Sequence, residues 1–151
     1  MARPQALTIT VDGARRVSGL LQVPGEARVC YVLAHGAGAG MSHPFMAAVA
    51  SGLAQRGIAT LRYQFPYMEA DSKRPDTPNL AQATVRAAVI EASRFVPGLA
   101  TVAGGKSFGG RMTSQAQAEL PLPGIRGLVS SDFRFIPPGN HQMSVQITCS
   151  R

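Results

Sequence analysis

The chain has 151 residues, 45% hydrophobic and 15% charged, proportions that fit one compact domain and exclude a disordered segment. No apolar run reaches the roughly 18 residues a membrane span needs, and the opening Met-Ala-Arg-Pro-Gln has no secretory apolar stretch. A cytoplasmic protein with no membrane partner is therefore expected. A net charge of +7 raises nucleic acid as a partner, but the basic residues are scattered, without a run or an aromatic-interleaved stripe. A small-molecule partner is favoured over nucleic acid. Cys30 sits in the apolar run Val29-Cys30-Tyr31-Val32-Leu33, far from Cys149, which reads as a buried free thiol in a reducing compartment.

Leu7 to Val11 alternates with period two and ends at Asp12-Gly13, a hairpin signal, with Val17 to Val23 as the return strand. Val29 to Ala34 is nearly all apolar, as in a strand covered on both faces. After the glycine-rich His35 to Gly40, Ser42 is expected to cap a helix from about Pro44 to Arg56, with Gly57 beyond its end. Ile58 to Tyr63 is another buried strand, followed by a long loop over Pro66 to Pro78. Asn79 is expected to cap a helix over Leu80 to Phe95, before a strand at Leu99 to Ala103 and a helix from Ser107 to about Glu119. A turn at Pro121 to Gly124 leads into a last short strand, Ile125 to Val129. Strands alternating with helices predict an α/β fold: a mostly parallel sheet of about six strands, an N-terminal antiparallel hairpin, and helices on both faces.

The strongest chemical signal is Gly105-Lys106-Ser107-Phe108-Gly109 between a predicted strand and a predicted helix. A nucleophilic serine needs a sharp, strained turn at a strand end, and the flanking glycines let neighbouring backbones approach. The N–H of Phe108 would then face a developing oxyanion from a helix start. The bland alternative is a glycine-rich helix start with a capping serine. The second signal is His35-Gly36-Ala37-Gly38 after the first buried strand, where the other oxyanion donor belongs. Ala37 is the first choice of donor and Gly36 the next, with His35 holding the loop. Two rival motifs fail. A P-loop needs a glycine where this chain has Ala100, and the dinucleotide fingerprint needs one where it has Met41. Histidines and cysteines are few and scattered, so neither a metal site nor a cofactor is expected.

The strings Leu33 to Met41, Arg62-Tyr63-Gln64-Phe65-Pro66-Tyr67-Met68 and Gly104 to Met112 together resemble a group of small α/β hydrolases. These are described as dienelactone-hydrolase-like and related to testis-expressed protein 30 and NSL-complex subunit 3. The resemblance covers roughly Leu7 to Val129. It implies a serine-hydrolase fold acting on an ester, lactone or thioester, with a catalytic acid and histidine from beyond the last strand. Residues 1–129 are accordingly expected as the N-terminal part of a hydrolase core, an incomplete α/β-hydrolase fold. Residues 130–151 are expected as a non-native or disordered tail. The family would place a Gly-Phe-Pro segment and further elements there, where this chain has Asp132-Phe133-Arg134-Phe135.

That tail fits an out-of-frame reading. Codons chosen for Met143 to Arg151, shifted by a base, spell D-E-R-A-D-H-L-F-A, and Asp132 to Gly139 permits a Gly-Phe-Pro reading in the same way. A frameshift near Val129 to Ser131, giving a truncated product, follows as a hypothesis. Ser107, Asp132 and His141 also occur in the hydrolase order Ser…Asp…His, so a shortened triad competes with it. A non-catalytic binding or scaffold protein with a hydrolase-like shell is the alternative in a different class, and the oligomeric state is left open. The gene decides the frameshift: the shifted frame is expected to stay open past the codon for Arg151, and an immediate stop codon there removes the idea.

Overall fold

The computed structural model describes residues 3–132 and 144–148. A hairpin of β1 (Gln5–Asp12) and β2 (Arg15–Gln22) turns where Asp12 Oδ1 accepts the N–H groups of Ala14 and Arg15 at 3.1 and 3.0 Å. Then follow β3 (Val29–Ala34), α1 (Pro44–Ala54), β4 (Ile58–Tyr63), α2 (Pro66–Glu69), α3 (Pro78–Phe95), β5 (Ala100–Lys106), α4 (Phe108–Glu119), β6 (Ile125–Asp132) and β7 (Ser144–Thr148). The sheet order is β1-β2-β4-β3-β5-β6-β7. Around the central β3 the pairs β3·β4, β3·β5 and β5·β6 are parallel, while β1·β2, β2·β4 and β6·β7 are antiparallel.

The period-two geometry of β3 explains the layers. Cys30, Val32 and Ala34 join the larger core with α3 and α4, whereas Tyr31 and Leu33 pack on the other side with Met46, Phe45, Val49 and Leu53 of α1. The stripe Ala81, Val85, Ala88, Val89 and Ala92 of α3 is fully buried. Burying a valine is worth about 1.5 kcal/mol or more, against a helix-propensity cost of at most ~0.7 kcal/mol, so packing decides the helix. Cys30 lies within this core, and burial pushes its thiol pKa up to about 11.

The predicted α/β architecture is present, with local corrections. The helix caps are His43 and Thr77, not Ser42 and Asn79, because Pro44 and Pro78 each occupy the first helical turn and the residue before such a proline becomes the cap. The stretch expected as a loop from Pro66 carries the short α2, again with a proline at its start. β5 continues past Ala103 to Lys106, since Gly104 and Gly105 keep pairing with Leu33 and Ala34. β6 continues past Val129 to Asp132, and β7 adds a seventh strand within the segment expected as a tail.

Candidate active site

From β3 the chain passes through α1 to β4 on one side, then returns through α3 to β5 on the other. The loops leaving β3 and β5 therefore diverge and open a crevice at the carboxyl ends of the strands. The register Ala34↔Gly105 sets the His35–Gly40 loop directly beside Ser107. A cleft of about 320 Å³ lies there, lined by Gly36, Ala37, Gly38, Ala39, His43, Phe45, Met46, Lys106 and Ser107.

Ser107 has φ 49° and ψ −110°, a left-handed conformation that costs a non-glycine residue about 1–3 kcal/mol and persists only where the surroundings enforce it. The enforcement comes from the end of β3. A Cβ on Gly105 would run into the carbonyl oxygen of Ala34, and one on Gly109 would lie 2.5 Å from that of His35. Only two bare backbones let β5 and α4 pass this close, and the turn between them has no wider course. Ser107 precedes α4 but makes no side-chain capping hydrogen bond, contrary to the capping-serine alternative, and it is exposed at the cleft. Phe108 is the first residue of α4, so its N–H has no partner within the helix and carries the positive end of the dipole.

The facing loop is held from beneath by the segment after β4. His35 is fully buried. The N–H of Phe65 donates to its Nε2 at 3.0 Å, which leaves the ring proton on Nδ1, donated to the Gly36 carbonyl at 2.7 Å. Burial holds the His35 pKa below its ordinary value, although the Gly36 bond and Asp76 pull the other way. The Tyr67 hydroxyl donates to the Ala37 carbonyl at 3.0 Å and lies 3.4 Å from that of Gly36. Because a trans peptide sets N–H opposite C=O, drawing these two carbonyls inward turns the N–H groups of Ala37 and Gly38 outward. Arg62 Nη1 donates to the Met41 carbonyl at 3.0 Å, and the Met41 N–H donates to Gln64 Oε1 at 2.9 Å, closing the far end of the loop.

Ser107, Ala37 and Gly36 thus line one cleft, and Phe108 follows Ser107 at the start of α4. Asp132 ends β6, one residue past the pair Lys106↔Ser131 and at the same end of the sheet as Ser107. His141 lies outside the described residues. His43 was missed: it lines the cleft, and its Nδ1 accepts the Phe45 N–H at 3.1 Å as the cap of α1. Pro44 was the available signal for it. Lys106 Nζ stands 4.9 Å from the centroid of the Phe45 ring, a cation–π distance that lays this cation along the cleft wall.

Two outcomes follow. Ser107→Gly relieves the left-handed strain and is expected to raise stability by about 1 kcal/mol, whereas Ser107→Ala, which keeps a Cβ, is not; thermal denaturation of the three proteins checks this. For His35 the folded pKa is depressed, so on acidification the unfolded state takes up its proton first. Its contribution is complete above the ordinary value of 6.5 and declines as pH falls below it. Denaturant midpoints measured across that range are expected to fall, with ring ¹⁵N shifts still reporting the neutral Nδ1–H tautomer where an ordinary histidine is already charged.

Comparison with known proteins agrees with this fold. The family model described as alpha/beta hydrolase domain matches residues 27–147. A dienelactone hydrolase from Anabaena variabilis superposes with TM-score 0.72 at 25% identity, covering 85% of this chain and 62% of that one. An α/β serine hydrolase without a lid from Xanthomonas campestris gives 0.69 at 21% identity, with 85% and 60% covered. Est1E from Butyrivibrio proteoclasticus gives 0.63 at 22%, with 82% and 49% covered. The chain spans about three fifths of the first two structures it matches. No curated protein sequence matches it. With a matched family model over most of its length and the corresponding sheet, the chain belongs to the alpha/beta hydrolase domain family.

Proposed function

We propose that Ser107 is the nucleophile of a serine hydrolase acting on an ester, lactone or thioester of a small molecule. The observation that carries this reading is the left-handed backbone of Ser107, with its side chain uncapped at a cleft. Strain of this kind is kept where it serves a site. In the reaction, Ser107 Oγ gives up its proton and bonds to the acyl carbonyl carbon. The carbon's bond to the alcohol oxygen or thiol sulfur breaks as that group takes up the proton, and water then attacks the acyl-serine, releasing the acid and returning a proton to Oγ. The N–H groups of Phe108 and Ala37 stabilise the tetrahedral oxyanion, which is worth about 2.7–4 kcal/mol per donor in well-studied cases. Ala37 is preferred over Gly36 because the Gly36 carbonyl, which shares its peptide plane, is the one drawn to His35.

His35 is not the base, since both ring nitrogens are engaged in holding the loop. The reading instead assigns proton transfer to groups at the carboxyl end of β6 and beyond, with Asp132 and His141 as the pair in hydrolase chain order. The relationship to the testis-expressed protein 30 group belongs to the same proposal. It is supported by the coincidence of its three motif strings with the β3 loop, the β4 corner and the elbow.

A fluorophosphonate probe tests the assignment. The folded wild-type chain is expected to be labelled, and Ser107→Ala is expected to lose the label. A folded wild type that takes up no probe overturns the nucleophile and favours a non-catalytic binding shell.

A further inference from the structure

The segment Arg62 to Met68 stands out in the sequence, yet none of its residues enters the reaction as proposed. It nevertheless supplies the side-chain and backbone groups that hold the loop after β3. Arg62 and Gln64 clamp Met41, Phe65 donates to His35, and Tyr67 donates to Ala37. Among these, Tyr67 alone meets both carbonyls, those of Gly36 and Ala37, whose peptides carry the Ala37 and Gly38 N–H groups.

We infer that Tyr67 is a positioning residue for acyl transfer: its hydroxyl, 3.0 Å from the Ala37 carbonyl and 3.4 Å from the Gly36 carbonyl, holds the two peptides that carry the Ala37 and Gly38 N–H groups and so aims the proposed oxyanion donor. This rests on the hydrolase reading above. Tyr67 is itself fixed on several sides. Its N–H donates to Asp76 Oδ2 at 3.0 Å, and its ring stands edge-on to His35 at 5.9 Å and to Phe108 at 6.1 Å. Phe108 carries the second proposed donor, so one aromatic side chain touches both halves of the oxyanion site. Burial raises the pKa of the phenol, and Asp76 acts in the same direction, so the hydroxyl remains a donor through neutral pH. The short α2 begins at Pro66, whose ring fixes φ at the helix start, one residue before Tyr67. A donor on a rigid platform suits an oxyanion site, where the gain comes from dipoles already aimed before charge develops.

Tyr67→Phe removes the hydroxyl and keeps the ring. Fluorophosphonate labelling of Ser107 is expected to slow about tenfold, less than the roughly hundredfold that follows loss of an oxyanion donor itself. Affinity for phenylboronic acid, which forms a tetrahedral adduct on the serine, is expected to fall in parallel. Val85→Ala, which loosens the buried face of α3 and removes no hydrogen bond to the loop, is expected to keep the wild-type labelling rate at temperatures where it is folded. Labelling of Tyr67→Phe at the wild-type rate, or equal slowing in Val85→Ala, overturns the inference. If Tyr67→Phe does not fold, Asp76→Ala frees the Tyr67 backbone from the surface side; an intermediate rate supports the positioning role and a wild-type rate overturns it. An unlabelled wild type sinks the nucleophile instead, and amide NMR then still decides Tyr67. The Ala37 and Gly38 N–H resonances shift in Tyr67→Phe if the hydroxyl orients them and stay in place if it does not.

Discussion

The backbone oxygens of Ala34 and His35 occupy the space where side chains on Gly105 and Gly109 would begin. That close approach governs the rest of the site. It brings the end of β5 and the start of α4 onto the end of β3, so the single residue left to join them must turn sharply with a positive φ. It also sets the start of α4 beside the loop leaving β3, at the cleft that Ser107 shares with Gly36 to Ala39 and with His43, Phe45, Met46 and Lys106. A methyl group at either glycine would separate the two elements and open the turn. The strain at Ser107 is thus a consequence of sheet packing, supported by many contacts none of which is large alone.

The second support is polar. A buried imidazole, a buried phenol and a buried guanidinium lie under one loop, each bonded to its backbone. Burying such groups unpaired would cost about 1–3 kcal/mol each, so the loop and the β4 corner fold as one unit or neither is stable. Phe65 and Tyr67 stand edge-on to His35 at 5.0 and 5.9 Å, and Phe108 stands edge-on to those two rings at 5.3 and 6.1 Å.

How much of this the sequence discloses depends on the range of each signal. The sheet and the elbow are legible because their causes are local: apolar runs for β3 and β4, and glycines at fixed spacing about Ser107. The cap positions are misread where two local rules compete, since serine at Ser42 and asparagine at Asn79 are good caps, yet the prolines at Pro44 and Pro78 fix the helix start. The role of His35 as a holder of the loop is readable in outline, because a histidine entering a glycine-rich loop needs a partner. Its actual partners, the Phe65 N–H and the Gly36 carbonyl, are not, because one of them lies on a different strand end. Tyr67 is illegible for the same reason: nothing near it in the chain says that its hydroxyl will meet Ala37.

The polar supports of the Ala37 loop and the glycines that force the elbow lie in one uninterrupted stretch from β3 to the start of α4. The groups proposed to recognise a tetrahedral, negatively charged species therefore form one continuous block of the chain. The groups proposed to shuttle protons come from β6 onward, later in the chain. A lesion in that later segment would leave recognition standing without turnover. Such a protein would behave toward acyl compounds as a receptor does, with affinity surviving the loss of chemistry.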